Sequence, residues 1–176
     1  MPTPPPPPPA TTDLPRYVAY LTKIGSPTDD LYEAENLRVG DWRFYMRGSS
    51  MPKQNAVGLD SAGRVVGAGA GDQWHAFLST PGLDPAAALA AYAWLTSSGV
   101  VIPHVKIKDP VAAKLVAPTT LERAPDGTLT LTGWTISPPD MQTPYRVQII
   151  APPAGTARIE HASWKKVAAA AKAPSP

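Results

Sequence analysis

Residues 84–99 read Asp-Pro-Ala-Ala-Ala-Leu-Ala-Ala-Tyr-Ala-Trp-Leu-Thr-Ser-Ser-Gly, and this stretch decides the fold. Asp84 suits the N-cap of a helix and Pro85 its first position, while Gly99 marks its end. Between Pro85 and Leu95 there is no charged or strongly polar side chain. A helix that is apolar all round is normally buried on more than one side. We therefore predict a central helix that packs on a sheet and is covered by loops.

One side of this helix supports an alternative hypothesis. Trp94 shares its side with alanines and points away from Leu89, Tyr92 and Leu95. Small residues allow another surface to approach closely. The alternative is that the Trp94 side binds a partner protein, or a second copy of the chain to form a homo-oligomer.

The segments around this helix predict mostly strands. Residues 42–47 alternate as a strand does, and residues 57–66 predict a hairpin whose turn contains Asp60 and Gly63. A short helix capped by Asp72 precedes residue 84. After residue 100 the β signal dominates, and we predict a meander with strands at 119–123, 128–136, 145–150 and 156–162.

Two segments near the beginning are less regular. Residues 17–24 fit either a helix or a strand, because Tyr, Val and Thr favour strands while the apolar spacing fits a helix. Residues 25–41 are predicted to be a polar connection. Together the elements predict an α+β fold: a single domain with a mainly antiparallel sheet, a helical pair at about 72–98 packed on it, and a C-terminal β-meander.

Three regions organise the chain. Residues 1–12 form a proline-rich arm, residues 13–164 the folded domain, and residues 165–176 a short basic tail of Ala and Lys. Because proline fixes φ and lacks a backbone N–H, the arm predicts an extended polyproline II rod that spaces the domain or docks on a partner. Its candidate partner-binding residues are Pro4, Pro5, Pro6, Pro7, Pro8 and Pro9.

Composition narrows the function classes. The chain has no cysteine, which excludes disulfides, thiolate catalysis and cysteine-ligated metals. Three of the 16 basic residues, Lys165, Lys166 and Lys172, lie in a tail without acids, and the remaining 13 nearly balance the 14 acidic residues. We therefore expect little attraction to nucleic acid. We find no signal peptide and no apolar run long enough for a membrane, and we expect a cytoplasmic location.

A glycine-rich connector is the sharpest motif. Gly67, Gly69 and Gly71 alternate between a predicted strand and a predicted helix, where backbone N–H groups could cradle a phosphate. Gly67 and Gly69 fit the G-x-G-x-x-G spacing, but Asp72 stands at its last position and would oppose a pyrophosphate. We favour a plain connector and expect no cofactor.

Catalytic groups are scattered along the sequence. The histidines are His75, His104 and His161, and a site would need the fold to bring Asp72, His75 and His104 together. We expect no metal site. On the strand at 128–134 the threonines share a face with Trp134, which is a candidate for binding a flat ligand, such as a sugar, or an extended peptide. A solvated outer face of the sheet is an equally natural interpretation.

These observations predict a non-enzymatic binding or structural (adaptor) protein within a larger protein assembly, with a protein as its partner. One alternative is a small enzyme or a nucleotide- or phosphate-binding protein that uses residues 67–72 with His75 and His104. The other is an accessory or immunity-type inhibitor of one target protein.

Overall fold

The computed structural model describes residues 14–48, 54–69, 73–101, 107–136 and 142–172. Its helices are α1 (Pro15–Lys23), α2 (Trp74–Leu78), α3 (Pro85–Thr96), α4 (Pro110–Leu115) and α5 (Trp164–Lys172). Its strands are β1 (Leu31–Val39), β2 (Trp42–Arg47), β3 (Gln54–Leu59), β4 (Val65–Val66), β5 (Gly99–Val100), β6 (Thr120–Arg123), β7 (Leu129–Ile136), β8 (Pro144–Ala151) and β9 (Arg158–Ser163). The described pairings are antiparallel, and the predicted α+β class is confirmed.

The first sheet has the order β1-β2-β3-β4 and carries apolar side chains on both faces. Phe44 of β2 lies edge-on to Phe77 of α2, with ring centroids 6.0 Å apart. Its neighbour Tyr45 stacks on Tyr17 of α1 at 5.3 Å. Successive side chains of a strand point to opposite faces, so β2 contributes to two separate apolar clusters.

The second sheet contains the predicted meander. β6 pairs with β7, β7 with β8 and β8 with β9, while β5 pairs with the far end of β7. Leu131 of β7 lies opposite Ile149 of β8, and both are buried. The antiparallel strands therefore form two sheets, a division that the strand signals of the sequence do not distinguish.

Helix α3 lies between these sheets, which explains why it is apolar all round. It contacts β1 of the first sheet and β5, β6 and β7 of the second. Leu89 is fully buried against Gly133 of β7. On its other side the ring of Trp94 lies 6.3 Å from that of Phe44. Half of the helix residues are buried because a sheet covers each side of the helix.

The ends of α3 follow local chemistry. The Asp84 carboxylate accepts a hydrogen bond from the backbone N–H of Ala86 at 3.1 Å, so the predicted N-cap is confirmed. The helix ends at Thr96, and Ser97 adopts the left-handed conformation with φ of 58°. Gly99, predicted to end the helix, begins strand β5 instead.

The prediction of a polar connection over residues 25–41 is wrong for its second half, because β1 occupies Leu31–Val39. The register of β1 on β2 shifts between Glu33 and Arg38. Such an irregularity breaks the two-residue alternation by which a strand is recognised in a sequence. β1 is also an edge strand, where exposed charges such as that of Glu35 are tolerated.

The open question at residues 17–24 is resolved as helix α1, in which Tyr17 and Leu21 are fully buried. At the other end, α5 packs against β8, β9 and α4. The predicted limits of the arm, domain and tail stay predictions. No described helix is long and apolar enough to cross a membrane.

Candidate functional site

A polar cleft of about 610 Å³ opens where turns of both sheets meet helix α2. The β1–β2 turn, the β3–β4 turn and the β8–β9 turn form three of its sides, and α2 with the segment after it forms the fourth. The polar residues that line it include Asp41, Asp60, Arg64, His75 and Thr80.

Arg64 is the central cation of this cleft, and two neighbours hold it in place. Its Nε donates to Asp60 Oδ2 at 2.5 Å, and its backbone N–H donates to Asp60 Oδ1 at 2.8 Å. Its guanidinium carbon lies 5.8 Å from the centre of the Trp42 ring, in cation–π contact. Asp60 and Trp42 are each 2% exposed, while the Arg64 side chain is 51% exposed. The guanidinium of Arg64 is therefore held by the buried Asp60 and Trp42 and is still accessible to solvent.

Asp41 joins three elements at the rim of the cleft. Its carboxylate accepts hydrogen bonds from the Ser61 hydroxyl and from the Ser61 backbone N–H, the latter at 2.7 Å. Arg16 of α1 donates to the same carboxylate at 3.1 Å. The two bonds from Ser61, followed by Arg16, lower the pKa of Asp41 to about 2. Asp41 is therefore ionised near neutral pH and ties α1 and the β3–β4 turn to the β1–β2 turn.

His75 is the one predicted catalytic candidate that the described residues place in the cleft. Its Nε2 lies 3.2 Å from the carbonyl oxygen of Gly127, so it connects α2 with the β6–β7 turn. The other two candidates, Asp72 and His104, lie outside the described residues. The third histidine, His161, shares a 2.7 Å hydrogen bond with the Tyr92 hydroxyl.

The glycine connector is described in part. Gly71 lies outside the described residues, as does Asp72 at its end. The backbone N–H of Gln73 returns to the carbonyl of Val65 at 2.9 Å, and the Trp74 indole donates to the carbonyl of Gly69 at 3.2 Å. These bonds tie the start of α2 to the end of β4 and to Gly69. Gly67 is buried and Gly69 is exposed.

The predicted partner-binding residues have different surroundings. Trp94 is half-buried against Phe44, and Trp134 is 4% exposed, so its ring offers almost no surface in this arrangement. The six arm prolines lie outside the described residues. The binding roles of all these residues stay predictions.

Sequence reasoning missed Asp41, Asp60 and Arg64 as members of one site. It assigned Asp60 to a turn and Arg64 to the returning strand, and it left Asp41 within a polar connection. In the described ranges, no three His, Asp or Glu side chains group as metal ligands would.

The cleft combines the half-exposed guanidinium of Arg64, the ionised carboxylate of Asp41 and the imidazole of His75 on helix α2. Such a surface can donate and accept hydrogen bonds to a polar ligand or to a protein surface. Comparisons of this chain with protein-family models, with curated proteins and with solved structures found no match.

Proposed function

We propose that this chain is a non-enzymatic binding or adaptor protein of a larger protein assembly, and that the cleft around Arg64 is where a partner protein binds. The observation that carries the proposal is the fixation of Arg64 between Asp60 and Trp42. Arginine is enriched among the residues that dominate protein interfaces. Here half of its side chain remains exposed while its position is already set.

Preorganisation supports this role, because ordering a long side chain on binding costs about 0.5–1.5 kcal/mol. Arg64 has already lost much of that freedom in the free protein. The turns around it are similarly held, by Asp41 with Ser61 and Arg16 and by His75 with Gly127. The hydrogen bonds among these residues hold the turns in place before a partner binds.

Helix α1, which follows the predicted proline arm in the chain, begins near this cleft. Leu14, the first described residue, is 6% exposed, and Arg16 two residues later reaches Asp41 at the cleft rim. A partner seated in the cleft would therefore be close to the start of α1, the element that follows the predicted arm in the chain. Two linked contacts with one partner raise the effective concentration of the second contact, so the arm and the cleft reinforce each other.

We further propose that the protein acts in the cytoplasm, a location consistent with a chain that has no cysteine. An inhibitor of one target protein would use the same surface. The identity of the captured partner separates that role from an adaptor role.

Affinity capture from native extract tests the proposal, using the full chain, a variant lacking residues 1–12, and Arg64→Ala. The matched control is Arg158→Ala, which removes an arginine that is 69% exposed and paired with Glu160 at 2.7 Å on the second sheet. We expect Arg64→Ala to lose the partner, the arm deletion to weaken capture, and the control to retain it. Equal capture by Arg64→Ala and Arg158→Ala would remove the cleft from the proposal.

The second candidate is a small-ligand site in the same cleft, and it is favoured because His75, Asp41 and Asp60 line one cleft. A nucleotide or sugar phosphate that binds the native state raises the melting temperature. This candidate predicts that His75→Gln reduces such a rise while Lys114→Gln, a change at an exposed residue that lines neither this cleft nor that beside α5, does not. If neither probe shifts the melting temperature of the full chain, this candidate is rejected.

A further inference from the structure

A second cleft of about 410 Å³ lies on the second sheet, beside the start of α5 and separate from the Arg64 cleft. Strand β8 contributes Arg146 and Gln148 to its lining. The end of β9 and the first turns of α5 contribute Glu160, His161, Ala162 and Lys166. Two cations thus share one small concave surface.

Arg146 is the informative member of this set. It is half-buried, and its Nε is enclosed by protein without a hydrogen-bond partner among the described residues. A buried polar group without a partner is uncommon in folded proteins, and the cost is greatest when the group is charged. Within the described ranges no ion pair involves Arg146 either. Among the described residues the guanidinium therefore lacks a compensating anion.

The carboxylate in the cleft is already engaged. Glu160 pairs with Arg158 through a 2.7 Å contact between Oε1 and Nε. Gln148 is likewise engaged, since its amide donates to Thr132 Oγ1 at 3.3 Å. Lys166 forms no ion pair with a described residue. Arg146 and Lys166 consequently leave the cleft with an unbalanced positive charge.

The start of α5 adds to this charge. The helix spans Trp164–Lys172, and its first turn adjoins the cleft because Ala162 and Lys166 both line it. Backbone N–H groups at the beginning of a helix carry a partial positive charge. One of them, that of Lys166, faces Ser163 Oγ at 3.4 Å.

We infer that this cleft is a binding site for an oxyanion, meaning a carboxylate or phosphate group. The planar guanidinium of arginine matches the geometry of both groups, and an ammonium and a helix start are favourable neighbours for either. Binding would place a negative charge beside the guanidinium of Arg146. The site is independent of the partner surface proposed for the Arg64 cleft.

Nuclear magnetic resonance titration of the full chain tests the inference, because the Arg146 side-chain N–H and the amides of residues 160–166 report directly on the cleft. The probes are inorganic phosphate and acetate, with chloride at equal ionic strength as the reference. We expect saturable shifts of these signals with at least one probe. Saturation by phosphate alone identifies a phosphate site, and saturation by acetate alone a carboxylate site. If neither probe differs from chloride, the inference is wrong.

Single substitutions test which positive charges bind the anion. We expect Arg146→Gln and Lys166→Gln each to weaken binding about tenfold, the change that corresponds to about 1.4 kcal/mol. The matched control is Lys165→Gln, since Lys165 is exposed, does not line the cleft and lies over the Trp164 ring at 5.8 Å. Equal weakening by Lys165→Gln and Lys166→Gln would indicate general screening and overturn the site.

Glu160→Gln provides the opposite test. It removes the negative charge of the cleft and releases Arg158, so binding of the anion is expected to tighten. Unchanged or weaker binding would contradict the assignment of an anion. This variant and Lys166→Gln also keep the inference testable if Arg146→Gln fails to fold, which far-ultraviolet circular dichroism would reveal.

Discussion

Gly133→Ala tests the packing of α3 between the two sheets. Gly133 is buried on β7, and a Cβ added there would lie 2.5 Å from Leu89 Cδ2, 3.0 Å from Cδ1 and 3.2 Å from Cγ. Carbon atoms in ordinary contact are about 3.5–4.0 Å apart. The added methyl group therefore requires Leu89 to move by about 1 Å or α3 to recede from the sheet.

Two opposing effects determine how much Gly133→Ala changes the free energy of unfolding. Replacing glycine by alanine stabilises a protein by about 0.4–1 kcal/mol where the native conformation accepts the change, because the unfolded chain loses freedom. Overpacking a filled core costs about 1–3 kcal/mol. Leu89 is fully buried and Gly133 is enclosed, so we expect overpacking to dominate and the free energy of unfolding to fall by about 1–2 kcal/mol. The matching decrease in melting temperature is about 2–8 °C for a chain of this size.

Urea denaturation of four variants measures this effect: Gly133→Ala, a control, Leu89→Ala and the double variant of Gly133 and Leu89. The matched control is Gly69→Ala, since a Cβ at Gly69 meets nothing within 4 Å and its φ is not positive, so it should be neutral or slightly stabilising. Leu89→Ala alone should cost about 2–5 kcal/mol. In the double variant the new methyl group fills part of the space left by Leu89. We therefore expect the double variant to lose at least about 0.5 kcal/mol less unfolding free energy than the sum of the losses in the two single variants. Additive changes, or a Gly133→Ala protein as stable as Gly69→Ala, would refute contact between Leu89 and Gly133.

Three further predictions concern hydrogen bonds. The pKa of Asp41 is lowered from 3.8 to about 2 in the folded protein, so its contribution to stability is present above pH 3.8 and is lost as the pH falls to about 2. The difference in unfolding free energy between the wild type and Asp41→Asn should shrink across that window in urea titrations at stepped pH, and a constant difference would contradict the assignment. Tyr92→Phe removes the hydroxyl bonded to His161 and should cost about 0.5–1.5 kcal/mol, with a matching coupling in a double-mutant cycle with His161→Ala. Burial raises the pKa of Tyr92 from 10.0 to about 12. The difference in unfolding free energy between the wild type and Tyr92→Phe should therefore decline between pH 10 and 12. A difference that stays constant over this range would argue against a buried hydroxyl. Asp84→Ala should lower the free energy of unfolding by about 1 kcal/mol because the N-cap is lost. Asp84→Asn should keep most of the wild-type stability because asparagine caps a helix equally well. If thermal denaturation shows equal losses for both variants, the loss does not come from the N-cap.

The amino-acid sequence by itself determined the local elements of this protein. Asp84 and Pro85 mark the start of α3 because N-capping acts within a single turn. The β6–β7 hairpin follows from the turn residues between its strands, and the alternation in β2 is visible because strand periodicity spans two residues. Strand β1 escaped prediction because an irregularity at Glu33–Arg38 interrupts that same periodicity.

Tertiary structure alone decided how those elements combine. The apolar pattern of α3 predicted burial on more than one side, but only the strand pairing revealed that a separate sheet covers each side. His75 could be named from the sequence, whereas its cleft could not. Arg16 and Asp41 are 25 residues apart, Asp41 and Ser61 are 20 apart, and His75 and Gly127 are 52 apart. Patterns of helices and strands extend over a few residues, while the ion pairs and hydrogen bonds that build this site depend on distances that exist only after the chain has folded.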